Sequence, residues 1–121
     1  MHISDESVKR ALLKALSDEQ SSRVLASTAW KSKSVMDLAK ECDIPHTSAY
    51  RLVNELRDNG LLLVDRVELT SDGKKYALYR SAFRSVTARF DGGKVEVEAH
   101  INRDMIDKVF KLFYSMRAED E

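Results

Sequence analysis

Thr47, Arg51 and Asn54 fall at i, i+4 and i+7, a spacing that brings a hydroxyl, a guanidinium and a carboxamide onto one face of a helix. Such groups read the edges of bases. Arginine pairs with guanine O6 and N7, asparagine with adenine N6 and N7, and hydroxyls suit phosphate oxygens. His46, Ser48 and Tyr50 also lie off the apolar stripe of that helix, which is Ala49, Leu52, Val53 and Leu56. Pro45 stands where the helix opens, a place suited to a residue with fixed φ and no N–H. The chemistry implied is hydrogen bonding to double-stranded DNA rather than bond making. A plain solvated helix face would carry similar residues, so the reading depends on the elements around it.

Further cations fall where a DNA backbone would pass. Lys74 and Lys75 follow an Asp72-Gly73 turn with Arg66 nearby, and Lys31 and Lys33 precede the next apolar helix. They are expected to meet phosphates, although turn tips are often charged for solubility alone. Other chemistries find little support. Cys42 is the one cysteine, at a position whose helical spacing buries it, and His2, His46 and His100 are scattered without ligand spacing. A zinc site needs about four ligands, so no metal and no cofactor are expected. There is no glycine-rich phosphate loop and no Ser/His/Asp set, and Glu96 and Glu98 read as a solvated strand face. The chain is not expected to be an enzyme.

The elements that would position these residues follow from periodicity. Val8, Ala11, Leu12, Ala15 and Leu16 mark a first helix, and Ser17 to Gln20 has the form of a capping box opening a second. Ser34 and Asp37 cap a third, whose buried face is Leu38, Ala39 and Cys42; Asp43-Ile44-Pro45 turns into the fourth, and Gly60 ends it. Residues 34–59 thus form a helix-turn-helix, the unit that lays its second helix in the major groove. After Gly60 the period falls to about 2. A wing is expected over 61–80, a second hairpin over 83–101 around Asp91-Gly92-Gly93, and a final helix over 102–117 capped by Asn102. That helix carries Met105, Ile106, Val109, Phe110, Phe113 and Met116. Their arc is wider than the ~100° one core contact uses, which predicts a homodimer interface.

The fold class expected is mainly α with small antiparallel β (α+β), residues 1–121 forming one winged-helix domain. The segment from Asp37 to Leu52, with Ala39 where the two helices cross, resembles the ArsR-type winged-helix transcription regulators, especially compact archaeal ones. Asp43 stands where that family usually places glycine. The resemblance implies a dimeric, sequence-specific DNA-binding transcription regulator, such as a repressor blocking promoter access. The competing reading is a winged-helix module that binds a protein without reading DNA. A more distant one is a small-ligand sensor, with a pocket between the second hairpin and the last helix.

Charge bears on the choice. Twenty basic and twenty acidic residues cancel over 121, whereas nucleic-acid binders are often clearly basic. Residues 31–84 hold ten Lys and Arg against eight Asp and Glu, and residues 85–121 six against eight. That asymmetry has the right sign and is small. No run approaches the ~18 apolar residues of a membrane span, and no apolar signal-peptide core is present, so a cytoplasmic protein is expected.

Overall fold

Asp5 and Asp18 start the first two helices. In α1, Glu6–Ser17, the Asp5 carboxylate accepts from the Ser7 and Val8 amides at 2.8 and 3.2 Å. In α2, Glu19–Ser27, Asp18 accepts from the Ser21 amide at 2.9 Å and its hydroxyl at 2.7 Å. The expected cap at Ser17 is therefore one residue early. Ser17 ends α1, donating to the Lys14 carbonyl at 2.9 Å, and an ionised carboxylate is the stronger acceptor at a helix's positive end. The structure, a computed structural model, describes residues 1–112.

A reciprocal capping box between Ser34 and Asp37 opens α3, Val35–Glu41. Asp43 then takes a left-handed conformation, φ 53°, and lets the chain turn sharply into α4, His46–Asp58. Asp is among the few residues other than glycine that tolerate this region. At the far end Gly60, φ 76°, closes a Schellman motif, the Gly60 amide donating to Arg57 and the Leu61 amide to Leu56, both at 2.9 Å. Leu38, Ala39, Cys42 and Ile44 pack with Ala49, Leu52, Val53 and Leu56 in the core, joined from α1 and α2 by Val8, Leu12, Ala15 and Val24. Leu16, expected in that stripe, is exposed.

Two antiparallel sheets follow. The wing is β2, Leu62–Leu69, paired with β3, Lys75–Ser81, with a bulge between Val64 and Arg66. The second hairpin is β4, Phe83–Asp91, and β5, Lys94–Ile101. Its sheet has the order β1-β5-β4, because β1, His2–Ile3, adds itself to β5. The apolar face of this hairpin is only half used. Val97 and Ala99 are fully buried, whereas Phe90 at the far end is 75% exposed.

Asn102 does not cap a helix with its side chain. It turns inward, donating to the carbonyls of Ala29 at 2.5 Å and Ser81 at 3.4 Å. A 3₁₀ turn, Arg103–Met105, leads into a helix, α5, described over 106–112. Met105 and Val109 lie in the chain's own core, which corrects their placement in a subunit interface. Ile106 and Phe110 point outward, 37% and 48% exposed. Phe113 and Met116 lie outside the described residues. The helices and small antiparallel sheets make an α+β winged helix, a helix-turn-helix followed by a wing.

Candidate nucleic-acid interface

The buried stripe of α4 leaves Thr47, Arg51 and Asn54 on its opposite side, all exposed. Pro45, His46 and Tyr50 are exposed beside them, and Ser48 is half-buried. The groups predicted for one face therefore share it, on a helix held by the left-handed turn at Asp43 before it and the Schellman close after it.

Their free hydrogen-bonding capacity differs. Arg51 Nη1 donates to Glu55 Oε1, one turn along, at 3.3 Å. Arg51 also faces a cleft between α1, α2 and α4 shared with Lys14, Asp18, Ser21 and Glu55. The Ser21 hydroxyl and amide, helped by the positive charges of Arg51 and Lys14, hold the Asp18 carboxyl below the usual carboxylate range. The last turn of α4 holds both its acids, Glu55 and Asp58, beside Arg57 and one turn on from Arg51. From Pro45 to Asn54 the chain carries no acid, and its exposed polar groups there besides Arg51 are His46, Thr47, Tyr50 and Asn54. That stretch has the unopposed donors.

Two expected phosphate contacts are otherwise engaged. The Lys33 ammonium donates to the Ser27 hydroxyl at 2.9 Å and to the Glu41 carboxylate, joining α2 to α3. Its backbone exchanges hydrogen bonds with Tyr79 on β3, at 2.9 and 2.7 Å. Lys33 is thus a structural tie rather than a free cation. Its bond and that from Ser27 depress the Glu41 carboxyl. Arg66 Nε donates to Glu68 at 2.9 Å and a terminal nitrogen to Asp65 at 3.4 Å. Glu68 also accepts from the Tyr76 hydroxyl at 2.9 Å, so the charge of Arg66 is answered within the wing. Lys31, Lys74 and Lys75 are exposed, the latter two at the wing tip.

Several residues outside the sequence reading shape this surface. The Arg84 guanidinium lies 3.8 Å from the centroid of the Trp30 ring, beside Lys31. Lys40 and Met36 of α3 border a shallow pocket with Ile44 and His46, at the crossing of the two helices. The lone tryptophan in a polar loop was the available signal for the first, and the exposed positions of α3 for the second. Arg80 is buried, donating to the Ala29 carbonyl at 3.4 Å and to Asn102 Oδ1 at 3.3 Å, and pairing with Asp104 at 3.1 Å. It holds β3, the end of α2 and the start of the C-terminal segment together.

Cys42 is buried at the end of α3, and burial pushes its thiol pKa up. Among the described residues no three His, Cys, Asp or Glu side chains group to hold a metal, and no helix is long and apolar enough to cross a membrane.

No protein-family model matches the chain, and no curated protein matches it. Among solved structures it is similar to the homodimeric winged helix-turn-helix DNA-binding domain of a possible ArsR-family transcriptional regulator from Mycobacterium bovis, at 18% identity over 93% of this chain and 81% of that one, TM-score 0.43. HlyU from Vibrio cholerae is similar at 15% identity over 93% and 95%, TM-score 0.45. NolR from Sinorhizobium fredii is similar at 15% identity over 90% and 80%, TM-score 0.42.

Proposed function

We propose that this chain is a DNA-binding transcription regulator that acts as a homodimer and binds rather than catalyses. The exposed face of α4 from His46 to Asn54 enters the major groove, with Asn54 and Thr47 at base edges and His46 and Tyr50 beside them. Lys74 and Lys75 at the wing tip, and Lys31 before α3, meet flanking phosphates. The observation that carries this reading is the acid-free exposed face of α4 from His46 to Asn54, set between a left-handed turn and a wing whose tip holds two exposed lysines. Arg51 gives one N–H to exposed Glu55 and keeps its other donors for guanine, while Asn54 suits adenine. Two such helices related by a two-fold axis would sit about 34 Å apart, on a partly palindromic site.

The test is selection of bound sequences from random duplex DNA, followed by fluorescence anisotropy on the selected site and on a scrambled one at two salt concentrations. Specific binding at least about a thousandfold tighter than non-specific is expected. Equal affinity for both duplexes would refute base reading. Absence of binding to either would leave the fold as a protein-contact module.

A further inference from the structure

The hydrogen bonds of β5 determine which way β4 faces. The Ala99 amide donates to Met1 and the Ala99 carbonyl accepts from the Met1 ammonium, both at 2.7 Å. Ala99 therefore spends both backbone groups on the β1 side. Its partner on β4, Val86, is a non-hydrogen-bonded partner, and the alternation of an antiparallel ladder then assigns the rest. Thr87, Arg89 and Asp91 bond to Glu98, Glu96 and Lys94. Val86, Ala88 and Phe90 turn their amides and carbonyls outward, to an edge where no described strand pairs.

The same three residues share one face of the sheet, with Val95, Val97 and Ala99 opposite them. Val97 and Ala99 are covered, whereas Ala88, Phe90 and Val95 are exposed. Natural edge strands are usually blunted by an inward-pointing charge, a proline or a bulge. From Ser85 to Asp91, β4 has no proline and no break in register, and its charges, Arg89 and Asp91, lie on the opposite face.

We infer that the outer edge of β4 is where a second copy of this chain docks, antiparallel and centred on Ala88, so that two three-stranded sheets become one. This register sets Ala88 against Ala88, and Val86 against Phe90 of the other copy. Each of these pairs exchanges two hydrogen bonds, and every outward-facing group of the strand is used. Phe90 gains an apolar neighbour, while Arg89 falls opposite Thr87 and Asp91 opposite Ser85, with no like charges directly opposed. A register centred on Arg89 would set two guanidiniums face to face, and one centred on Thr87 would require Arg84, which lies at the bulge and stacks on Trp30. A register centred on Phe90 would pair Arg89 with Asp91 but leave Val86 without a partner strand past the Gly92 turn. The Ala88 register is thus the one that uses every outward-facing group, and this self-complementarity argues for a second copy as the occupant. This specifies the surface of the proposed homodimer and does not depend on DNA being its target.

Sedimentation equilibrium of the full chain without DNA tests it. The wild type is expected to dimerise. Ala88→Pro removes an amide that faces only the edge, so it is expected to stay folded by circular dichroism while its dimer dissociation constant rises at least about tenfold. Thr87→Pro, which breaks a bond to β5, is expected to lower the melting temperature instead. Should Ala88→Pro fail to fold, Ala88→Lys, which opposes two ammonium groups across the two-fold, is expected to give the folded monomer. Oxidised Ala88→Cys is expected to run as a covalent dimer, since paired Cα atoms lie about 5.5 Å apart, and buried Cys42 does not compete. A monomeric wild type overturns the inference, as does a dimer that Ala88→Lys leaves intact and Phe110→Cys cross-links through α5. A dimer that ignores DNA would refute the DNA reading alone, and a monomer that binds DNA would refute this inference alone.

Discussion

The Lys108 ammonium of α5 donates to the Val64 carbonyl at 3.0 Å, and to the neighbouring Asp65 carbonyl, where β2 bulges. A bulge turns backbone acceptors out of the ladder and leaves them to be satisfied elsewhere. Lys108 satisfies them from the C-terminal helix and lies 3.7 Å from the Asp65 carboxylate. Asp65 in turn accepts from the Ser32 hydroxyl in the loop before α3. The root of the wing is thereby tied both to the helix-turn-helix and to α5.

Replacing Lys108 by Met keeps the stem and removes the charge. Because the ammonium is partly exposed, the loss of stability is expected to be about 1 kcal/mol, below the usual range for charged hydrogen bonds. Thermal unfolding measures it, and amide exchange should quicken in the outer half of β2. A melting temperature and exchange pattern equal to wild type would mean that the bulge needs no ammonium.

For the recognition helix, Asn54→Ala is expected to weaken the selected site by roughly 1–3 kcal/mol while barely changing random DNA. Glu55→Gln removes a negative charge and releases Arg51, so it should tighten binding to both. Anisotropy titrations of the two variants separate the roles. Equal losses on both duplexes for Asn54→Ala would reduce Asn54 to a backbone contact.

At the wing tip, joint replacement of Lys74 and Lys75 by Ala should weaken all sequences alike. It should also flatten the dependence of log K on log salt by about 2, one for each phosphate released. A slope that does not move would leave the wing as a structural hairpin without DNA contact.

Asp18 governs an acid limb of stability. Its carboxyl is depressed in the folded chain by the Ser21 hydroxyl and amide, so its contribution is complete above the ordinary carboxylate range and disappears as pH falls through the folded value. Asp18→Ala should cost about 1 kcal/mol at neutral pH, and the gap to wild type should close in acid. Urea titrations at pH 7 and pH 3 test this. A constant gap would show that the cap does not depend on ionisation.

Local signals made α3, the turn and α4 readable. Ser34 and Asp37 are three residues apart, Asp43-Ile44-Pro45 is contiguous, and Gly60 acts within its own turn, so each works over distances a sequence displays. The pairs of free and engaged cations were not readable in the same way. Lys33 is neutralised by Glu41, eight residues on, and Arg66 by its strand neighbours, which only the folded geometry shows. The role of Asn102 lay further off still. Its position before an apolar helix suggested a cap, yet its amide is claimed by Ala29, seventy-three residues earlier. Two residues, His2–Ile3, are too few to display an alternating pattern, so β1 was invisible until β5 was there to pair with it.

Trp30 is the chain's one tryptophan, 67% exposed, with the Arg84 guanidinium over its ring. The contact joins the α2–α3 loop to the start of β4, so the molecule carries an optical probe at the junction between its helical half and its second sheet. Emission from this single fluorophore records whether the guanidinium remains seated. Anything that pulls β4 away from the loop uncovers the indole and changes its spectrum, with no label attached.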